Sequence, residues 1–133
     1  MVTPEGKLTP AQYEIMELVW NAGPSGATVS ELWEVIGPRR DVLRTTVQNL
    51  VDRLEKRRWL KRGKGKGGYR YCATTGRLET ARGLAEDFVD EFFAGSASEM
   101  VMSLFGSKRL TRDELARLRK LLDSRLAKKN PNP

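Results

Sequence analysis

The stretch Leu43-Arg44-Thr45-Thr46-Val47-Gln48-Asn49-Leu50-Val51-Asp52-Arg53-Leu54-Glu55-Lys56-Arg57 decides the fold. Val47, Leu50, Val51 and Leu54 recur at i, i+3, i+4 and i+7, so one face of a helix over about Leu43–Arg57 must meet a core. At about 100° per residue the opposite face carries Thr45, Gln48, Asn49, Asp52 and Lys56. Thr46 and Arg53 flank that face, and Arg44 lies at its N-terminal end. A helix with a wholly apolar back and a front of Thr, Gln, Asn and Arg can pack on one side and contact base edges and phosphates on the other.

Two shorter helices precede it. The first is predicted over Pro10–Asn21, with Thr9 as N-cap, Pro10 at the first helical position, and Tyr13, Ile15, Met16, Leu18, Val19 and Trp20 apolar. Gly23-Pro24-Ser25-Gly26 ends it. The second is predicted over Val29–Ile36. Thr28 and Glu31 have capping-box spacing, Val29, Leu32, Trp33 and Ile36 line one side, and Gly37-Pro38 stops it. A hairpin follows, in which Trp59–Arg62 and the alternating Tyr69–Ala73 flank a flexible, basic tip, Gly63-Lys64-Gly65-Lys66-Gly67-Gly68. Trp20, Trp33 and Trp59 fall at apolar positions and are expected in the core.

Charge agrees with this order of elements. Of 24 Lys and Arg residues, 12 lie between Arg39 and Tyr71 beside only three acids, so this segment carries +9 while the other residues carry −2. Three helices and a basic hairpin make a winged helix-turn-helix, whose third helix enters the major groove of duplex DNA. Lys61, Arg62, Lys64, Lys66 and Arg70 on the wing are expected along the backbone or minor groove, where they supply affinity and register rather than sequence. The same charge would also suit a winged-helix interaction module binding an acidic protein partner. The coincidence of the basic patch with the groove-facing helix favours DNA.

Beyond Thr74-Thr75-Gly76 the composition changes. Helices are predicted over Leu78–Phe93, after a Ser96 cap with Glu99 three residues on, and after a Thr111 cap with Glu114 at the same spacing. Leu115, Leu118, Leu121, Leu122 and Leu126 form a stripe. Lys128 and Lys129 suit the negative end of a helix dipole, and residues 130–133 fray. Roughly 50 helical residues without a sheet form a core of their own with difficulty, and pairing with a second copy resolves this. We therefore expect a mainly α protein with one small β-hairpin: a winged-helix DNA-binding domain over residues 8–76, then a three-helix dimerisation region over 77–129. Leu84, Phe88, Phe92, Val101, Leu104, Leu115, Leu118 and Leu122 are the expected homodimer contacts.

Composition removes other classes. The 133 residues contain no His and one Cys. Cys/His metal cages, His-based triads and intrachain disulfides are thereby excluded, and no cofactor or metal is expected. Cys72 reads as a half-buried small residue next to Tyr71, with a redox role left open. Gly63-x-Gly65-x-x-Gly68 matches a dinucleotide fingerprint in form, but a strand follows it rather than a helix. No apolar run approaches the roughly 20 residues of a membrane span, and the first residues lack an apolar signal core, so a cytoplasmic protein that is not an enzyme is expected.

Leu8-Thr9-Pro10-Ala11-Gln12-Tyr13-Glu14-Ile15-Met16-Glu17-Leu18-Val19-Trp20 resembles the opening of the penicillinase-repressor family (BlaI/MecI, with the related copper repressors CopY). Thr45-Thr46-Val47, the run Val51–Lys56, the wing closing on Tyr69-Arg70-Tyr71, and Leu110–Leu115 with Leu118–Leu122 continue the resemblance. It implies a dimeric winged-helix repressor on a near-palindromic operator of resistance or stress genes, often beside a gene for a membrane sensor-protease. Carried onto this chain, the base readers are Arg44, Thr45, Thr46, Gln48, Asn49 and Arg53. The paired Cys-x-Cys motifs of the copper branch are missing. In the β-lactam branch an Asn-Phe bond in the helix preceding the last is cleaved. The matching segment here is Met102-Ser103-Leu104-Phe105, so the candidate cleavage segment, Ser103 and Leu104, departs from the Asn-Phe pattern of that branch.

Overall fold

Both N-terminal helices start on reciprocal caps. The computed structural model describes residues 3–128, so the expectations for Lys129 and residues 130–133 lie outside the described residues. Helix α1 spans Pro10–Ala22. The Thr9 hydroxyl accepts from the Gln12 N–H at 3.2 Å, and the Gln12 side-chain oxygen accepts from the Thr9 N–H at 3.0 Å. Helix α2 spans Val29–Arg40, and Thr28 and Glu31 form the same pair of bonds. Each pair satisfies two backbone donors that a helix start otherwise leaves to water.

α2 runs four residues beyond the expected stop at Gly37-Pro38. Pro38 sits in the last turn, where its missing N–H removes only one internal bond, and Asp41 ends the helix in the left-handed region at φ 53°. The extra turn carries Arg39 and Arg40 to Glu14 of α1, at 2.8 and 3.2 Å. Trp33 also departs from expectation. It is 37% exposed, and its indole N–H donates to the Val42 carbonyl at 3.1 Å instead of packing in the core.

The Arg39 hydrogen bond, with Arg40 beside it, holds the Glu14 carboxyl below the ordinary glutamate range against the opposing effect of burial. A carboxyl whose folded pKa is depressed stabilises above its unfolded value, and that contribution is lost as pH falls through the folded one. Glu14→Gln is therefore expected to lower stability by about 1 kcal/mol at neutral pH and to flatten the acid limb of a stability–pH curve. Thermal unfolding of both proteins between neutral and acid pH checks this.

Helix α3 spans Arg44–Lys56, with Leu43 as an N-cap that makes no side-chain bond. Val47, Val51 and Leu54 are fully buried, as the heptad-like spacing requires. They meet Ile15, Met16 and Val19 of α1, Leu32 and Ile36 of α2, and Leu60 and Tyr71 of the hairpin. Each such side chain withdrawn from water contributes roughly 1.5–3 kcal/mol. Trp20 and Trp59 pack partly buried against this cluster.

Strands β1 (Leu60–Gly65) and β2 (Gly68–Ala73) pair antiparallel, with Gly65 opposite Gly68. The expected six-residue tip is thus a two-residue turn, Lys66-Gly67, and the flanking residues extend the ladder. Gly67 adopts φ 88°, which a Cβ would oppose. The α1–α2 connection joins the sheet: Ala27 and Tyr71 exchange both backbone hydrogen bonds, at 3.0 and 2.8 Å. Gly26 beside them is buried at φ 70°, and a Cβ there would stand 2.4 Å from the Tyr71 carbonyl oxygen.

Helix α4 spans Arg77–Phe92, α5 Ala97–Met102 and α6 Arg112–Ala127. Ser96 and Thr111 cap the last two through the N–H groups of Glu99 and Glu114. The chain forms two compact units that divide between Leu84 and Ala85, within α4. The first turn of α4 is tied to α1: the Arg77 guanidinium lies over the Trp20 ring and bonds the Asn21 side chain, while the Trp20 indole donates to the Thr75 carbonyl at 2.9 Å. In the second unit Val89 is the one buried hydrophobic side chain among the described residues. Phe88 stacks at 4.8 Å on Phe92, which is itself exposed.

Candidate nucleic-acid interface

The period of two along a strand sorts the wing into two faces. Cross-strand partners share a face, so Arg62, Lys64, Tyr69 and Tyr71 lie on one, and Lys61, Gly63, Arg70 and Cys72 on the other. The first face looks across a shallow cleft to α3. Arg44, Gln48 and Asp52 line the helix side of that cleft, Arg62 and Tyr69 its wing side, and Thr28 and Ser30 its floor at the start of α2. The structure therefore brings two of the expected readers beside one of the expected wing cations.

Thr45, Thr46, Asn49 and Arg53 are exposed on α3. Gln48 is half-buried, and its amide donates to Asp52 Oδ1 at 2.9 Å, one turn along the helix. Lys61, Lys64 and Lys66 are exposed on the wing. Arg62 is more engaged: its guanidinium sits 4.4 Å from the Tyr69 ring centroid and 3.4 Å from Glu55. Tyr69 is half-exposed in the cleft and was not among the expected site residues. Its signal was strand parity: Tyr71 reaches the core, and Tyr69, two residues outward on the same face, extends past it. Lys56 is exposed at the end of α3.

Arg70 departs from the expectation of a backbone contact. Its guanidinium donates to the carbonyls of Ser25 (2.9 Å), Gly26 (3.0 Å) and Lys66 (2.8 Å) and to the Glu31 carboxylate (2.9 Å). Strand alternation places it on the face opposite Tyr71, against the α1–α2 connection, where four of its five N–H donors are already used. Cys72 shares that face, half-buried, with its thiol 3.5 Å from the Pro24 carbonyl. Among the described residues no group of three acidic or Cys side chains is placed to hold a metal ion, and no helix is long and apolar enough to cross a membrane.

Of the expected dimer contacts, Phe88, Phe92, Val101, Leu104, Leu115 and Leu122 are exposed, while Leu84 and Leu118 are half-buried. Ser103 and Leu104 are exposed in the turn that follows α5.

Three helices closed by a two-stranded wing define a winged helix-turn-helix regulator. The chain belongs to the penicillinase repressor family, whose model matches residues 8–124. That family consists of DNA-binding transcriptional repressors and not of enzymes. The chain is 22% identical over 119 residues to the methicillin resistance regulatory protein MecI of Mammaliicoccus sciuri, covering 90% of this chain and 95% of that one. It is 22% identical over 123 residues to the penicillinase repressor of Staphylococcus aureus, covering 92% and 96%. Among solved structures it is similar to the oxidised form of MarR from E. coli (TM-score 0.51, 24% identity, 90% of this chain and 76% of that chain). A point mutant of S. aureus MepR bound to an oligodeoxyribonucleotide has a TM-score of 0.51 at 17% identity, covering 90% and 78%. These structural likenesses concern the fold.

Proposed function

We propose that this repressor acts as a homodimer on a near-palindromic DNA operator, with α3 in the major groove and the wing on the flanking backbone. The observation that carries this reading is the cleft in which Arg44 and Gln48 of α3 face Arg62 of the wing, next to exposed Thr45, Thr46, Asn49 and Arg53. A polar helix face and a strand face converging on one groove suit a duplex: the helix meets base edges while exposed Lys64, on the same wing face as the Glu55-paired Arg62, meets phosphates. The exposed apolar side chains of α4, α5 and α6 support pairing with a second copy. A two-fold dimer sets its two reading helices about one DNA turn apart, roughly 34 Å.

Roles divide along the same line. Asn49→Ala is expected to cost about 1–3 kcal/mol at one base position and to relax preference there. Lys64→Ala is expected to weaken every sequence equally. Titration of the chain's own upstream promoter fragment and of point-substituted duplexes checks both. Identical profiles for the two variants would remove the division, and no shift of the fragment at modest ionic strength would remove the function.

For release we infer cleavage between Ser103 and Leu104 by a sensor-protease pathway. The bond lies in an exposed turn, which a protease can enter without unfolding a core. Sequencing the ends of fragments from induced cells tests this, and an intact chain after induction would point to release by a ligand.

A further inference from the structure

Besides the Ala27–Tyr71 backbone pair at its base and the Arg62–Glu55 ion pair to α3, one side chain ties the tip of the wing to the body, and the consequences below rest on the DNA-binding reading above. The Arg70 guanidinium bonds the Lys66 carbonyl at the wing tip and, at the same time, three groups of the body: the Ser25 and Gly26 carbonyls and the Glu31 carboxylate. Its side chain is only 20% exposed. Gly65 leaves the path open, since a Cβ there would stand 2.6 Å from Arg70 Cδ. Glu31 Oε1 accepts from both Arg70 and the Thr28 N–H, each at 2.9 Å, so the atom that caps α2 also receives the wing.

We propose that Arg70 and Glu31 form a latch that sets the angle of the wing, so that Lys64 and Lys66 reach DNA phosphates while Arg70 touches none. Arg70 is thus a positioning residue. The planar fork of arginine meets four acceptors from three segments, which a lysine ammonium with its single point of charge does not reproduce. A glycine-rich hairpin without such a tie would sample many angles and would lose entropy on binding. The latch is formed before DNA arrives.

The two roles for Arg70 give opposite results in a mutant cycle on the full chain, read by anisotropy of a labelled operator duplex. Arg70→Gln is expected to weaken operator binding at least about tenfold in the native background, because the charge-assisted bonds to the body are lost. In a Lys64→Ala, Lys66→Ala background the same change should cost under about twofold, because the residues it positions are gone. Arg70→Lys should not rescue. Glu31→Gln supplies the second arm. Gln keeps the cap on α2 but lacks the charge that holds Arg70. Bulk electrostatics predicts tighter DNA binding when an acid is removed, whereas the latch predicts weaker binding.

Faster amide exchange over residues 63–68 in the DNA-free Arg70→Gln and Glu31→Gln proteins completes the expected set. Equal losses from Arg70→Gln in both backgrounds would overturn the proposal, as would unchanged or tighter binding by Glu31→Gln. Failure of the native protein to bind its operator would instead remove the DNA-binding reading, and the exchange arm, which needs no DNA, would still decide the latch.

Discussion

For the homodimer proposed above, Leu122→Asp is expected to yield a monomer and to lower operator affinity at least about a hundredfold. Leu122 is 61% exposed in the single chain, so the change removes no core contact, and the winged-helix unit should fold as before. What it alters is the apolar stripe on α6, where Leu115, Leu118 and Leu122 follow helical spacing. A carboxylate placed on a surface that would otherwise lose its water must either stay hydrated or remain unpaired, and both oppose association. One winged helix alone buries too little surface for tight specific binding, so the loss passes from interface to operator. Leu118→Asp should act in the same direction, with some additional loss of subunit stability because Leu118 is half-buried. Sedimentation of Leu122→Asp as an intact dimer would refute the assigned interface.

The second large effect is a salt dependence smaller than the charge count suggests. Twelve cations lie between Arg39 and Tyr71. Among the described residues, six of them have partners inside the chain. Arg39 and Arg40 hold Glu14, Arg58 pairs with Glu5, Arg62 with Glu55, and Arg70 with Glu31. Arg57 donates to the Glu5 and Lys7 carbonyls. Arg44, Arg53, Lys56, Lys61, Lys64 and Lys66 remain for phosphates. At about 0.9 counterions per neutralised phosphate, a dimer should show a slope of log K against log salt no steeper than about −11, whereas the raw count would allow roughly −22. Affinity measured across a series of salt concentrations reads this directly. A steeper slope would mean that the internal ion pairs open on DNA. Arg39→Ala should leave the slope unchanged, whereas Lys64→Ala should reduce it by about one per protomer.

What sequence shows and what it hides follow from how local each signal is. Val47, Val51 and Leu54 could be placed in the core because their spacing is a property of one helix. Thr28 with Glu31, Ser96 with Glu99 and Thr111 with Glu114 were readable for the same reason, since a cap needs only three residues. The end of α2 was not. Pro38 normally marks a boundary, and what sustains the extra turn is Glu14, which lies 25 positions before Arg39. The inward course of Arg70 was hidden in the same way. Its acceptors at Ser25 and Gly26 lie 45 and 44 residues away, and they adjoin the wing only because Ala27 pairs with Tyr71. Composition therefore located the basic region correctly but overstated how much of it is free. Helical parity points Trp33 to the core, yet its N–H meets the Val42 carbonyl at the edge, where an indole has both an apolar surface and a partner.

Gly26 carries a genetic consequence. Its place, with left-handed φ and no room for a Cβ against Tyr71 and Cys72, joins the sheet to the connection that precedes α2. Alleles that replace this glycine should surface in a reporter screen for constitutive expression beside alleles of α3. The crowded neighbours of position 26 all belong to the same polypeptide, so a map of such alleles would trace how the reading head is mounted as well as what it reads.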